Sequence, residues 1–214
     1  MRIPEHIGII PDGNRRWAET NGLSKENGYQ YGLKPGLELY HLCRNKGVKE
    51  ITFYGFTTDN TKRPSMQTKA FRKANVNAVN MLTEEDASIL VVGNSETSMF
   101  PDELQQYTER TDFGQGNIKV NFLVNYGWKW DLQELTEKTN ISRNNIRNNI
   151  KSSEISRIDL IIRWGNRRRL SGFLPVQSVY ADFYVVDAYW PDFKPEHFEN
   201  ALQWYDKQDL TYGG

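Results

Sequence analysis

The sequence predicts an α/β fold: one domain whose central sheet has about six mainly parallel strands flanked by helices. Short apolar segments rich in β-branched residues alternate with longer segments of helical character, a pattern typical of such proteins. A length of 214 residues suits one large domain, predicted to span 1–214, since no repeat or long linker interrupts the chain. The strands are expected at Ile7–Ile10, Ile51–Tyr54, Ile89–Val92, Lys119–Val124, Asp159–Ile162 and Asp182–Val186.

The segments between these strands are long enough to form helices. A short helix is expected from Arg15 to Thr20, directly after a turn of Asp, Gly and Asn. The final helix has a proline in its first turn, where proline is tolerated. The longer helices are expected at Lys34–Lys46, Met66–Glu85, Asp102–Thr111, Trp130–Ile150 and Pro195–Lys207.

Charge and composition exclude several classes of function. The chain has 27 Lys and Arg against 27 Asp and Glu, so no net positive charge favours nucleic acid or an anionic membrane. No apolar run approaches the ~20 residues that span a bilayer, and the first residues lack a signal-peptide core. One cysteine, Cys43, forms neither an internal disulfide nor a Cys-based zinc site. The cytoplasm is the expected location, without a nucleic-acid partner.

The first predicted strand ends in the most informative turn of the chain. Pro-Asp-Gly-Asn follows the strand, and two arginines and a tryptophan follow the turn. A strand, a tight turn and a helix start place free backbone N–H groups at the sheet edge, which suits a phosphate group. Asp12 is either a metal ligand there or the N-cap of the helix, and the two roles can coexist. The sequence thus predicts a site for phosphate and a divalent metal.

Arginines also follow the fifth predicted strand. Arg163, Arg167, Arg168 and Arg169 lie within seven residues, and their charges repel unless solvent or an anion neutralises them. A solvated surface and an RNA contact are the alternatives to a diphosphate site, and the neutral overall charge disfavours RNA. Ser171 is a natural additional phosphate donor.

Several other side chains are ambiguous from the residues alone. Tyr29 belongs either to the core or to the wall of an apolar pocket. Trp128 and Trp164 follow strands, and we therefore expect them on the ligand side of the sheet. Asp182 is either a strand-edge carboxylate or a second metal ligand opposite Asp12.

Taken together, these segments resemble the cis-prenyltransferase family, the group of undecaprenyl diphosphate synthase. The resemblance begins with HIGIIPDGNRRW at 6–17 and FTTDNTKRP at 56–64. It continues with NYG at 125–127, DLIIR at 159–163, RLS at 169–171 and FL at 173–174. It closes with QSVYAD at 177–182 and WPDF at 190–193, so the motifs cover effectively the whole chain in family order.

This resemblance implies a Mg²⁺-dependent enzyme that joins isopentenyl diphosphate to an allylic diphosphate, with a new double bond in the Z configuration. It implies that Asp12 positions the ion and that Asp182, matching a metal-linked glutamate of the family, also serves the metal. Asn60 and Arg63 lie in the loop associated with condensation and proton removal. The residues expected to bind the two substrates are Gly13, Asn14, Arg15, Arg16, Trp17, Lys25, Tyr29, Arg163, Arg169 and Ser171.

The chain departs from the family at several of these positions. Lys25 replaces an arginine, Tyr29 a histidine, Trp128 a glycine, and Arg167 a glutamate. The helix expected at Met66–Glu85 offers only a narrow apolar stripe. Burying a product of many isoprene units, at roughly 0.8 kcal/mol per CH₂, requires a larger apolar surface. We therefore expect a short product. Irregular, lavandulyl-type coupling of dimethylallyl diphosphate and a non-catalytic partner subunit are the alternatives. The family also implies a homodimer, and a lipid product implies peripheral membrane contact.

Overall fold

The computed structural model describes residues 1–137 and 145–209 and contains one seven-stranded sheet in the order β4-β3-β5-β2-β1-β6-β7. All neighbouring strands are parallel except β3 and β4, which are antiparallel. The strands are β1 (His6–Ile10), β2 (Glu50–Tyr54), β3 (Ala87–Val92), β4 (Thr111–Asp112), β5 (Ile118–Leu123), β6 (Leu160–Arg163) and β7 (Asp182–Val185).

Helices connect the strands and cover the sheet. The three longest pack beside the apolar residues of the central strands. Short 3₁₀ helices lie at Lys25–Gly32, Thr58–Lys62, Asp102–Tyr107, Arg147–Asn149 and Trp190–Asp192. The α-helices are α1 (Asn14–Thr20), α2 (Leu33–Lys46), α3 (Ser65–Leu82), α4 (Trp128–Asp131), α5 (Gln133–Glu137) and α6 (Pro195–Asp206).

Alternation along β1 divides the core between the two faces of the sheet. Ile7 and Ile9 are fully buried in the larger cluster, together with residues of α2, α3 and α6. Ile10 points to the opposite face, where it packs with Phe173 and other residues from loops. Gly8 shares that face, and a Cβ there would lie 2.5 Å from the Phe173 ring. Both faces are therefore covered, as expected for a mainly parallel sheet.

The predicted fold class is confirmed, and each of the six predicted strands is present with shifts of one or two residues at its ends. The additional strand β4 has only two residues, too few for a sequence pattern.

Two predicted helices are wrong. The segment predicted as a helix at Asp102–Thr111 contains a 3₁₀ helix that ends at Tyr107 and then enters β4. The predicted helix Trp130–Ile150 is interrupted, with part of it outside the described residues. Buried Asp131 accounts for the interruption, because its carboxylate accepts hydrogen bonds from Tyr126 Oη and from the Ser152 backbone and hydroxyl. Ser152 thus lies in contact with Asp131, which one continuous helix from 130 to 150 would not allow.

Within the described ranges, none of the helices has both the length and the apolar character needed to cross a bilayer.

Candidate active site

The loops after β1, β2 and β6 meet at one edge of the sheet. In the sheet, β1 lies between β2 and β6 and is parallel to both, so the loops that follow the three strands leave at the same edge. Ligands of open parallel sheets bind at such a point, outside the carboxyl ends of the strands. A polar cleft of about 510 Å³ lies there, lined by the first turn of α1 and by residues after β2 and β6.

Asp12 lies in this cleft between two arginines. Its Oδ2 accepts a hydrogen bond of 2.7 Å from Arg163 Nη2, and its Oδ1 lies 3.4 Å from Arg16 Nη2. The N-cap of α1 is Gly13, with a φ of 105°, and no side chain caps the helix. The alternative that Asp12 serves as N-cap is therefore excluded. Its side chain remains 32% exposed, so one edge of the carboxylate is open to a ligand.

Arg163 is the buried partner of this pair and comes from the last position of β6. Its side chain is 5% exposed. Nη1 donates to Ser171 Oγ at 3.1 Å and to the Arg169 carbonyl, while Nη2 donates to Asp12. A buried guanidinium is tolerated when it is paired and hydrogen-bonded in this way. Arg163 consequently holds the loop 169–171 against the turn after β1.

Tyr54 also holds this loop, and the sequence analysis missed it. Its hydroxyl donates to the Ser171 carbonyl at 2.7 Å from the end of β2. Burial raises the pKa of Tyr54 despite the opposing charge of Arg163, so the phenol stays protonated and remains a donor. Ser171 has a φ of 55°, a left-handed conformation that these contacts stabilise. Tyr54 could have been identified by its position, since it ends a strand whose loop was already singled out.

The first turn of α1 provides further residues that line the cleft. Arg15 Nη1 donates to Gln67 Oε1 at 3.2 Å, and the Arg16 guanidinium lies 5.0 Å from the centre of the Tyr189 ring. The Asn14 side chain is engaged within the turn after β1. Its amide group donates to the Pro11 carbonyl at 2.8 Å, and its buried Oδ1 has no hydrogen-bond partner among the described residues.

Trp17 and Lys25 have other principal contacts. Trp17 Nε1 donates to Asp192 Oδ1 at 2.7 Å, and Trp17 is not among the residues that line the cleft. The structure thus places Trp17 beside the site rather than in it. Lys25 lines the cleft and forms an ion pair of 2.9 Å with Glu19.

Tyr29, Arg63 and Phe71 form the inner wall of the cleft. Arg63 Nη1 donates to the Tyr29 hydroxyl at 2.9 Å, and the Tyr29 ring stacks on Phe71 with centroids 4.4 Å apart. Burial raises the pKa of Tyr29, with Arg63 acting in the opposite direction. The same burial lowers the pKa of Arg63. At neutral pH this pair is therefore a neutral phenol beside a guanidinium.

Asn60 lies at the rim of the cleft, in the 3₁₀ helix after β2. Its Oδ1 accepts a hydrogen bond of 2.9 Å from the Thr57 backbone, closing a capping box. This contact fixes the loop that carries both Asn60 and Arg63.

A second, apolar cavity of about 80 Å³ adjoins the cleft. It lies between the sheet, α2 and α3, and Asn14, Tyr29 and Phe71 border both spaces. Its far wall is made of small or apolar residues: Leu33, Gly36, Leu37, Phe53, Ala74, Ala78, Met81, Leu82 and Phe122. A polar head group in the cleft could thus extend an apolar chain inward past Tyr29.

The structure corrects the expectation for Trp164. Its side chain is fully buried in the larger core and contacts Trp190, with ring centroids 4.8 Å apart in an edge-to-face arrangement. The residue therefore fills the core rather than the ligand side, because β6 alternation points Arg163 and Trp164 to opposite faces. Trp128 is 46% exposed and packs near Gly172.

Asp182 does not meet Asp12 within the chain. Asp182 is the first residue of β7, and the strand register places it beside Leu160 of β6. Leu160 in turn lies beside Ile7, near the start of β1. Three further residues of β1 separate this level from the carboxyl edge, a rise of about 10 Å at 3.3 Å per residue. The predicted pairing of these two carboxylates on one ion is therefore not supported by the geometry of a single chain. Burial raises the pKa of Asp182, and Arg2 opposes this shift.

The cleft is strongly positive although the chain is neutral. Seven cationic side chains and three carboxylates line it, which leaves four positive charges. The cations are Arg15, Arg16, Lys25, Arg63, Arg163, Arg167 and Arg169, and the carboxylates are Asp12, Glu19 and Asp59. The charge of such a cleft suits a multiply charged anion, and the adjoining cavity suits an apolar tail.

Comparisons with known proteins agree with this chemistry. A family model described as "Putative undecaprenyl diphosphate synthase" matches residues 10–213. The chain is similar to the (2E,6E)-farnesyl-diphosphate-specific ditrans,polycis-undecaprenyl-diphosphate synthase of Escherichia coli K12, with 30% identity covering 98% of this chain and 89% of that protein. The corresponding protein of Yersinia pseudotuberculosis is 32% identical, covering 100% and 91%. The fold matches lavandulyl diphosphate synthase of Lavandula x intermedia, solved with dimethylallyl diphosphate, with a TM-score of 0.85, 20% identity and coverage of 99% and 98%. The chain therefore belongs to the undecaprenyl diphosphate synthase family of cis-prenyltransferases, and it is a prenyltransferase of isoprenoid biosynthesis.

Proposed function

We propose that the enzyme condenses isopentenyl diphosphate with an allylic prenyl diphosphate to form a short, Z-configured prenyl diphosphate. One observation carries the proposal: a carboxylate held between two arginines lies in a cationic cleft that adjoins an apolar cavity. The relatives named above supply the reaction class. Two diphosphates brought close together repel by several kcal/mol even at an effective dielectric near 20, and the excess of cations offsets this repulsion.

The two substrates occupy different parts of the cleft in this proposal. The allylic diphosphate lies at the first turn of α1, near Gly13, Arg15 and Arg16, with its hydrocarbon directed past Tyr29 into the apolar cavity. The diphosphate of isopentenyl diphosphate lies on the other side of Asp12, beside Arg169 and Ser171. This arrangement places the two reacting ends between Asp12 and the Tyr29–Arg63 pair.

The residues present fit a Mg²⁺ ion that is held largely by substrate. Mg²⁺ is usually bound through one or two carboxylates together with substrate phosphates and waters. Asp12 offers such a carboxylate, and no group of three or more His, Cys, Asp or Glu side chains forms a protein-only metal site among the described residues. We propose that Asp12 holds the ion without Asp182 of the same chain. When bound, the ion would neutralise charge on the leaving diphosphate.

The chain's own groups complete the chemistry. Arg16 and Arg163 orient Asp12 and add positive charge where the allylic C–O bond breaks. The electron pair of the broken C–O bond leaves with the allylic diphosphate, and the new C–C bond joins the allylic C1 to C4 of isopentenyl diphosphate. The C2 proton of isopentenyl diphosphate passes to the released diphosphate as the new double bond forms. Arg63 lies beside this junction and, with Tyr29, separates the charged cleft from the apolar cavity.

The size of the apolar cavity favours a short product. A cavity of about 150 Å³ holds one benzene, a molecule of six carbons. The cavity here measures about 80 Å³, roughly half of that, so it accepts no more than one five-carbon unit unless α2 and α3 separate. This supports dimethylallyl diphosphate as the primer.

The decisive experiment incubates the protein with Mg²⁺, labelled isopentenyl diphosphate and dimethylallyl, geranyl or farnesyl diphosphate. We expect a short Z product, best formed from dimethylallyl diphosphate. A product from dimethylallyl diphosphate alone would instead establish irregular coupling. The absence of any product from all combinations would refute the proposed reaction.

Asp12→Ala tests the metal role in the same assay. We expect turnover to fall by at least about 100-fold, because the leaving group loses its charge stabilisation. The matched control is Asp102→Ala, which removes an exposed carboxylate far along the chain and should keep wild-type turnover. An unchanged rate for Asp12→Ala would contradict the assignment.

Assembly and location are further parts of this proposal. We propose a homodimer formed through the late strands and loops, because β7 is an edge strand and the adjoining Val179 and Tyr180 are 67% and 57% exposed. Sedimentation analysis tests it, and a monomer at micromolar concentration would refute it.

We also propose a cytoplasmic enzyme, consistent with the free, buried thiol of Cys43, with peripheral membrane contact through its lipid product. Cell fractionation tests both.

A further inference from the structure

The loop that follows β6 is anchored at its beginning. The Gly165 backbone N–H donates to the Ala188 carbonyl at 2.8 Å, and that of Asn166 donates to the Val186 carbonyl at 3.2 Å. Both residues have left-handed φ values, 84° and 53°, which reverse the chain after the strand. A Cβ at Gly165 would lie 2.6 Å from Arg16 Nη2, so the loop packs directly against the Asp12–Arg16 pair.

The same loop is anchored at its end. The Arg169 carbonyl accepts a hydrogen bond from Arg163, and the Ser171 carbonyl accepts one from Tyr54. The three arginines between these anchors are all exposed. Arg167 and Arg169 line the cleft, whereas Arg168 is not among the lining residues. The backbone contacts at both ends therefore present two alternate arginines to the cleft.

Among the described residues that line the cleft, each carboxylate is already paired with a cation other than these two arginines. Asp12 pairs with Arg16 and Arg163, Glu19 pairs with Lys25 at 2.9 Å, and Asp59 pairs with Lys62 at 2.8 Å. In the part of the chain that the structure describes, Arg167 forms no ion pair. Neighbouring guanidinium groups held on a fixed loop repel each other, and an anion between them relieves the repulsion.

We infer that Arg167 binds the diphosphate of isopentenyl diphosphate together with Arg169, and that this pair selects a diphosphate over a monophosphate. The inference rests on the proposed function and assigns a residue to its second substrate. A guanidinium offers paired N–H donors that match phosphate oxygens. Two of them on alternate positions of one loop can engage both phosphate groups, whereas a monophosphate occupies one.

Three variants test this assignment: Arg167→Ala, Arg167→Lys and the matched control Arg168→Ala. The control removes the same charge from the same loop but outside the cleft. We expect Arg167→Ala to raise the KM for isopentenyl diphosphate about tenfold or more and to change the KM for the allylic substrate less than about threefold. Arg167→Lys should raise this KM less than Arg167→Ala does, since lysine keeps the positive charge but lacks the paired N–H donors of arginine. Arg168→Ala should remain within about threefold of wild type.

Calorimetric titration with inorganic pyrophosphate and with phosphate gives a readout that does not require turnover. Wild type should bind pyrophosphate more tightly than phosphate, and Arg167→Ala should reduce that preference whereas Arg168→Ala should not. Equal effects of Arg167→Ala and Arg168→Ala on both KM and pyrophosphate affinity would overturn the inference while leaving the proposed reaction intact. A wild-type protein without turnover would overturn the proposed reaction, and the titrations would still decide whether Arg167 binds pyrophosphate.

Discussion

At the scale of single residues, Arg163 connects more parts of the site than any one sequence motif suggests. It joins Asp12 after β1 to Arg169 and Ser171 after β6, and it does so from a buried position. Such a charge is stable only while its partners remain in place, because an unpaired buried guanidinium costs several kcal/mol. The orientation of Asp12 is therefore a property of the pair.

Arg163→Lys should lower kcat/KM by roughly 100-fold. Lysine keeps the charge, but its single ammonium group lacks the rigid, planar pair of nitrogens with which Arg163 contacts Ser171 through Nη1 and Asp12 through Nη2. Steady-state kinetics with both substrates measures the effect, and circular dichroism verifies that the variant is folded. Arg168→Lys, at an exposed position outside the cleft, is the control and should behave like wild type. Retention of full activity by Arg163→Lys would show that bridging is unnecessary.

At the scale of elements, α3 determines how much room the apolar cavity has. Ala74 and Ala78 are one turn apart and face the cavity, and Gly36 of α2 lies among the lining residues on the other side. Small residues at these positions leave space where larger ones would close the packing between helix and sheet. The side chains on the cavity-facing side of α3 should thus limit the length of the hydrocarbon that binds.

Ala78→Leu should shift primer use further toward dimethylallyl diphosphate. The three added carbons fill most of a cavity of about 80 Å³, so geranyl and farnesyl chains, which need the most room, should lose more than the dimethylallyl chain. The free energy of unfolding should change by less than about 2 kcal/mol, since gained burial and local overpacking oppose each other. Rates with the three primers measure the shift. Ala70→Leu, on the same helix but away from the cavity, should leave the ratios of the rates unchanged; a similar shift there would contradict the argument.

The sequence predicts those parts of the fold and site that depend on local pattern. The strands are runs of buried apolar residues, and the loops after them contain the arginines that line the cleft. Contacts between distant segments were not predictable. The pairing of Asp131 with Ser152 is incompatible with one continuous helix from 130 to 150, and strand alternation buried Trp164 in the core instead of exposing it in the cleft. The hydrogen bond of Tyr54 was not predictable for the same reason, since its partner Ser171 is 117 residues away.

At the scale of the whole molecule, a buried polar network crosses the amino-terminal half of the sheet, away from the cleft. His6 Nδ1 faces the carbonyls of Ser156 and Arg157 at 3.1 and 3.2 Å, so it carries the proton, and Nε2 accepts from the Thr52 hydroxyl at 2.8 Å. Asn121 Nδ2 donates to both Thr52 Oγ1 and Glu50 Oε1. The network thus joins β1, β2 and β5 with the segment that covers them.

This network should make stability fall on acidification. Burial lowers the pKa of His6, although the charges of Glu50 and Asp159 act in the opposite direction. In the unfolded chain the imidazole titrates near pH 6.5. Above that pH both states are neutral and the stability is fully present. As the pH falls below about 6.5, the unfolded state takes up a proton that the folded state does not, so the free energy of unfolding decreases.

Urea unfolding at pH 7.5 and 5.5 measures this dependence in wild type, His6→Gln and His41→Gln. His6→Gln should lower the free energy of unfolding at both pH values, because hydrogen bonds are lost. The decrease in this free energy from pH 7.5 to pH 5.5 should be smaller in His6→Gln than in wild type. His41, on α2, is 44% exposed, and replacing it should leave the wild-type loss unchanged because no buried imidazole is removed. If His6→Gln loses as much stability as wild type between the two pH values, another group is responsible. If wild type gains stability at pH 5.5, His6 is protonated in the folded protein, stabilised by Glu50 despite its burial.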